Sequence, residues 1–234
     1  MRIRVLGTRG EIEPSAPYHA RHSGVLLDDT ILLDLGEREF LDYEPRAALI
    51  THLHPDHAFF VRDRSATVAM PVYAPEARSD GVRVRAVAGE MTLHRHRVTA
   101  IPTVHSLKVK SCAYRIEKGG RSLLYTGDLL WIARRYRVLV GRPDLVITEA
   151  SFMREGGAVR RDAETGQVFG HTGVPNLVRF FSGYTKHMLL VHFGAWFYDD
   201  MKGARRELRA LGREHGVSVR VGYEGMELDL DHLD

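Results

Sequence analysis

Ala47-Ala48-Leu49-Ile50-Thr51-His52-Leu53-His54-Pro55-Asp56-His57 is the stretch on which the reading of this chain turns. Ala47 to Ile50 is a short apolar run of β type, and a dense polar cluster follows it at once. In an extended segment residues two apart point to the same side, so His52 and His54 can grip one ion. Pro55 cannot continue a ladder and turns the chain, after which Asp56 and His57 can face a second ion. Imidazole and carboxylate donors suit zinc, iron or manganese rather than calcium or magnesium. The alternative is a solvated polar loop, but burying these four side chains together without a metal would carry a heavy desolvation penalty.

Composition frames this loop. Thirteen histidines in 234 residues is a high count, and the single cysteine, Cys112, excludes both an intrachain disulfide and a thiolate metal cage. One domain covering 1–234 is the expectation for this length. No apolar run approaches the roughly 18 residues needed to cross a bilayer, so no membrane contact is expected. Met1 to Leu6 lacks the apolar stretch of a secretion signal, which points to a cytoplasmic protein. The net charge is +3 and arginine outnumbers lysine, a balance that suits phosphate recognition. An arginine-rich proteome would explain the same balance.

Short β-type runs fill the first two thirds: Ile3 to Leu6, Gly24 to Leu27, Ile31 to Leu33, Ala47 to Ile50, Val82 to Val87, Val98 to Ile101, Cys112 to Ile116 and Ser122 to Tyr125. Leu145 to Thr148 and Met188 to Val191 read as strands buried on both faces. Helical patterning is predicted at Leu129 to Val140, Pro175 to Phe181 and Asp199 to His215, with Gly216 closing the last. Gly119-Gly120 reads as a hairpin turn. This much supports an α/β or α+β protein with packed sheets and outer helices.

The spacing His52-X-His54-X-Asp56-His57 resembles the signature of the metallo-β-lactamase superfamily. Further landmarks similar to that family follow in order: Ile101-Pro102-Thr103-Val104-His105, Tyr125-Thr126-Gly127-Asp128 and Leu189-Leu190-Val191-His192. Leu6-Gly7-Thr8 and Leu32-Leu33-Asp34-Leu35-Gly36 resemble its opening, so the likeness spans essentially the whole chain. It implies an α+β fold, a four-layer αβ/βα sandwich. It also implies that His52, His54 and His105 bind one divalent ion, that Asp56, His57 and His192 bind a second, and that Asp128 bridges them. Such a pair lowers the pKa of water toward neutrality, and Asp56 is then expected to orient that water and accept its proton.

The branch must come from other residues, because one scaffold hosts many reactions. An aspartate at the bridging position, with Cys112 far from it, argues against lactam hydrolysis. Thr148-Glu149-Ala150-Ser151-Phe152 and Phe169-Gly170-His171-Thr172-Gly173 resemble motifs of ribonuclease Z and its phosphodiesterase relatives. By that likeness Glu149 orients His171, which contacts the phosphate or protonates the leaving oxygen. Gly170-His171-Thr172 also reads as a cap before the helix near Pro175. Two departures matter: Thr148 stands where ribonuclease Z usually has a histidine, and His105 to Asp128 is too short for that enzyme's long arm. The short form looks closer to phosphoribosyl cyclic phosphodiesterase, without its cysteine-rich zinc knuckle.

The expectation is therefore a dinuclear phosphodiesterase with Asp56, His171 and Glu149 as catalytic residues, acting on a small or exposed phosphodiester. Zinc is the expected metal, with manganese and iron as alternatives. A lactone or thioester hydrolase, a transfer-RNA 3′-processing activity and a non-catalytic binding module are the competing readings. Nucleic acid and a second copy of the chain are further candidate partners. Arg134-Arg135-Tyr136-Arg137, Arg154 and Arg160-Arg161 are either phosphate-backbone contacts or solvated faces. Phe193, Trp196, Phe197 and Tyr198 either line the pocket or pack the core. His94 and His96 alternate with arginines on a strand expected to be exposed, outside the metal site.

Overall fold

The computed structural model describes residues 1–233. In chain order its strands begin with β1 (Arg2–Gly7), β2 (Gly24–Leu27), β3 (Ile31–Leu33), β4 (Ala47–Leu49), β5 (Val72–Ala74) and β6 (Val84–Ala86). There follow β7 (Gly89–Leu93), β8 (His96–Thr103), β9 (Ser111–Lys118), β10 (Arg121–Tyr125), β11 (Leu145–Ala150), β12 (Ala158–Arg161) and β13 (Val168–His171). Then come α1 (Val174–Phe181), β14 (His187–Phe193), α2 (Trp196–Asp199), α3 (Met201–Glu214), β15 (Ser218–Val221) and β16 (Glu227–Asp229). One sheet has the order β16-β1-β2-β3-β4-β5-β6, a second β15-β14-β11-β10-β9-β8-β7, and β12-β13 is a separate hairpin.

Three apolar layers hold these sheets together. Ile3, Val5, Leu27, Leu33 and Leu49 of the first sheet face Val98, Tyr114, Ile116, Leu123 and Ile147 of the second. The outer face of the second sheet packs Val146, Leu190 and Phe193 against Val178 and Phe181 of α1 and Leu208 of α3. The outer face of the first sheet is covered by Phe40 and Phe60, which lie on 3-10 turns at Arg38–Tyr43 and Phe59–Val61. The four-layer α+β sandwich is thus present, with one outer layer built of 3-10 turns. Among the described residues no helix is long and apolar enough to cross a membrane.

Sheet directions decide where the site lies. β10, β11 and β14 run parallel, and β8 and β10 both run antiparallel to β9. The carboxyl ends of β8, β10, β11 and β14 therefore share one edge, where ligands collect in such sheets.

Three expectations are corrected. Leu129 to Val140 is not one helix, and only Arg134–Val140 winds, as a 3-10 segment. The backbone of Leu129 and Leu130 is already engaged: Leu129 N–H donates to Glu149, Leu130 N–H to Val104 O, and Leu129 O accepts from Thr172. His96 is buried, because the two-residue turn His94-Arg95 (φ 45° and 68°) swings it inward to donate to Asp28 at 2.8 Å. The His171 segment does not cap α1; it ends β13, and Gly173 precedes the helix with no side-chain cap. Gly119-Gly120 does form the β9–β10 hairpin, with φ of 58° and 79°, values that glycine adopts at no steric cost. In α3, Asp200 accepts from Gly203 N–H (2.8 Å).

Candidate metal centre

β4 ends at Leu49, and the chain leaves the first sheet with Thr51 O accepting from Cys112 N–H (3.0 Å) and His52 bridging to Ser111. This ties the histidine loop of the first sheet to β9 of the second. Past Pro55, His57 and Ala58 N–H both donate to His54 O, closing a tight turn that delivers Asp56 and His57 to the sheet edge. His105 follows β8, Asp128 follows β10, and His192 lies in β14 at a β-bulge opposite Glu149 and Ala150, with φ of 53°. The bulge turns the imidazole out of the ladder and into the site.

All seven expected ligands meet. Candidate ligand atoms of His52, His54 and His105 lie within 4.8 Å of one another, and so do those of Asp56, His57, Asp128 and His192. His52 Nε2 is 3.0 Å from His54 Nδ1, which is 3.3 Å from His105 Nε2. Asp128 spans both groups: one oxygen lies 3.5 Å from His105 Nε2, the other 3.2 Å from His57 Nε2. His105, Asp128 and His171 form a third such cluster.

The outward-facing ring nitrogens are fixed by partners. His52 Nδ1–H donates to Thr51 Oγ1 (3.1 Å) and His105 Nδ1–H to Gly170 O (3.1 Å). His54 Nε2 faces Ser106 Oγ (3.4 Å), His57 Nδ1–H donates to Asp34 (2.7 Å), and His192 Nδ1 meets Ser151 Oγ (3.1 Å). Such outer bonds set tautomer and ring direction in metal sites.

The donor set fits divalent metal. Burial, more than any neighbour, holds His52, His54 and His105 below the usual imidazole range, so they are neutral with lone pairs turned together. Burial opposes ionisation of Asp56 and Asp128, but the surrounding histidines outweigh it and keep both carboxylates ionised. His57 Nε2 and Asp128 Oδ1 are buried without a hydrogen-bond partner among the described residues. Converging lone pairs and buried ligand atoms without partners are what a cation would satisfy.

Glu149, at the end of β11, accepts from His171 Nδ1–H at 2.8 and 3.0 Å and from Leu129 N–H at 2.6 Å. Burial would lower the pKa of His171, but Glu149 and then Asp128 outweigh it and push it up to about 9. The pair lies beside the ligand cluster, with His171 Nδ1 3.9 Å from Asp128 Oδ2.

The aromatic run goes the other way: Phe193 and Phe197 are core residues stacked at 4.0 Å, while Trp196 donates to Ala150 O and Tyr198 to His19 O. Phe152 lines the cavity instead. Sequence reasoning missed Asp34 as a partner of the site. Its signal was a lone carboxylate inside the apolar run Leu32 to Leu35.

The model of the β-lactamase superfamily domain matches residues 41–193. No curated protein matches the chain by sequence. The fold is similar to the metallo-β-lactamase fold protein YhfI of Bacillus subtilis, at 18% identity and TM-score 0.71 over 97% of this chain and 98% of that one. It is also similar to a diphosphatase of the PhnP family (16%, TM-score 0.69, 97% of each chain). The short form of human tRNase Z gives 17% identity and TM-score 0.63 over 98% and 99%. With its family model, its sandwich and its cluster of histidines and aspartates in agreement, this chain belongs to the metallo-β-lactamase superfamily of metal-dependent hydrolases.

Proposed function

We propose that the protein is a phosphodiesterase that holds two divalent ions, zinc by preference, and cleaves a small or exposed phosphodiester. The observation that carries this reading is the Glu149–His171 pair next to the ligand cluster. His52, His54 and His105 would hold one ion, Asp56, His57 and His192 the other, and Asp128 both. Bound there, the ions would supply Lewis acidity and a water of lowered pKa.

The chain's own residues do the rest. Glu149 holds the His171 ring by Nδ1 and stabilises its charged form, so Nε2–H is available to protonate a leaving alkoxide. Asp56 is an ionised oxygen in the same space, suited to orient the attacking water. A diester with an aliphatic leaving group needs this division of labour because an alkoxide leaves poorly without a proton, whereas the thiolate expelled from a thioester leaves unaided. The cavity of about 380 Å³ suits a small ligand.

Zinc-loaded protein should hydrolyse both bis(p-nitrophenyl) phosphate and a dinucleotide. His171→Ala should lose on the order of 10²- to 10⁴-fold on the dinucleotide, and far less on the ester whose p-nitrophenolate leaves unaided. An undiminished dinucleotide rate in the variant removes the acid. Ester or thioester turnover without phosphodiester cleavage replaces the reading with carboxyl-derivative hydrolysis.

A further inference from the structure

The cavity over the ligand cluster has two unlike walls. On one, Phe152 lies against His171, ring centroids 5.6 Å apart. On the other, the loop Gly10 to Ile12 faces Arg62, the one cationic lysine or arginine lining this cavity among the described residues. Arg62 ends the 3-10 turn Phe59–Val61, five residues beyond His57, and its N–H donates to Phe59 O (3.2 Å). Its base is thereby tied to the ligand loop. Its side chain reaches across the mouth to Glu11, Nη2 to Oε1 2.8 Å, with both partners open to solvent at 62% and 48%. The Glu11 loop is itself fastened beside His192, since Gly10 N–H donates to Phe193 O (3.1 Å).

An exposed pair of this kind adds little to stability, so the fold does not require it. Its position is what sets it apart. Of the other ionisable groups lining the cavity, His54, Asp56, His105, Asp128 and His192 would face metal and His171 the leaving group, while Arg62 offers a planar fork for an anion. Glu11 engages Nη2, and among the described residues Nε and Nη1 make no hydrogen bond.

We infer that Arg62 anchors a second phosphate of the substrate, one beyond the scissile diester, and that Glu11 holds the guanidinium across the mouth until that phosphate displaces it. The identity of the reacting group rests on the phosphodiesterase reading; the anchor does not. The substrate class is a phosphodiester with a further terminal phosphate, such as an ester of a nucleoside bisphosphate, in preference to a diester with an uncharged tail.

Calorimetric titration of zinc-loaded protein with thymidine 5′-monophosphate and with thymidine 3′,5′-bisphosphate tests the anchor without turnover. Wild type should bind the bisphosphate about tenfold more tightly, the gain expected of a charge-assisted bidentate contact. Arg62→Ala should erase that ratio, Arg62→Lys keep part of it, and Glu11→Gln enlarge it by removing the competing carboxylate. Equal affinities in wild type, or an unchanged ratio in Arg62→Ala, overturn the inference. A second arm compares turnover of the p-nitrophenyl ester of thymidine 5′-phosphate with and without a 3′-phosphate. If neither ester is cleaved while the affinity ratio behaves as stated, the phosphodiesterase reading fails and the anchor stands.

Discussion

His57 Nδ1–H donates to Asp34 Oδ2 across 2.7 Å, and this bond turns Nε2 of His57 toward Asp128. Asp34 is fully buried and takes three further donors: Thr51 N–H at 2.7 Å, Thr51 Oγ1–H at 3.0 Å and Tyr125 O–H at 2.9 Å. One carboxylate thus joins the end of β3, the ligand loop, β10 and a ligand ring. Its φ of 58° is uncommon for a residue with a side chain and is held by these bonds.

Asp34→Ala should therefore damage both fold and site. It strands several buried donors at once, and breaking such a network costs about 3–5 kcal/mol. Loss of an orienting partner behind a metal ligand typically weakens metal binding 10- to 100-fold. Urea unfolding of metal-free protein reads the first effect and a zinc competition titration the second. Wild-type zinc affinity in Asp34→Ala would show that the bond does not orient His57.

Gly127 is the second position where one atom decides the site. Its φ is 57°, and a Cβ there would lie 2.3 Å from Thr51 Oγ1, which cannot retreat because it is bonded to Asp34. Gly127→Ala combines left-handed strain with overpacking, about 2–4 kcal/mol together. Because the clash falls between Thr51 and Asp128, zinc content should fall with stability. A loss below about 0.5 kcal/mol in urea unfolding, the scale of ordinary surface substitutions, contradicts the account.

The histidine loop was legible because its chemistry is written locally, in one stretch from His52 to His57. His105, Asp128 and His192 each end an apolar run, but only the family resemblance singled them out; topology carries those run ends to the same edge. What stayed hidden depends on contacts distant in sequence. Leu129 to Val140 has helical spacing, but Glu149, Val104 and Thr172 claim its first backbone groups. His96 alternates with charged residues like an outward side chain, yet Asp28, 68 residues away, draws it inside. The β12–β13 hairpin that carries His171 has mostly exposed or half-buried residues, so it has no apolar period to read. Arg62 and Glu11 are 51 residues apart and meet only when β1 and the ligand loop are folded together.

Cys112 offers a check on packing. Its thiol is buried at the start of β9, and burial pushes its pKa up to about 12. A thiol without thiolate character and without access does not react. Native protein should be inert to a disulfide reagent such as Ellman's at pH 8 for as long as it stays folded, and the unfolded chain should release one equivalent. Fast labelling of native protein would mean that β9 opens locally without global unfolding.

Asp28 links the sheets on the side away from the ligand cluster and gives the protein a defined acid response. It accepts from Lys118 Nζ at 2.5 Å, from Arg2 N–H at 2.7 Å and from His96 Nε2–H at 2.8 Å, joining β1, β8 and β9. Burial would raise its pKa, but the bonds from Lys118, Arg2 and His96 outweigh that and bring it from 3.8 to about 2. A carboxylate whose folded pKa is depressed stabilises the fold fully above its unfolded value, and the contribution disappears as pH falls through the folded value. The stability difference between wild type and Asp28→Asn, from urea unfolding, should accordingly be constant between pH 5 and 7. It should shrink from about pH 4 downward, because the wild type alone takes up the proton there. A difference that holds level to pH 3 would mean that Asp28 gains nothing from its charge and acts through hydrogen bonding that asparagine cannot copy.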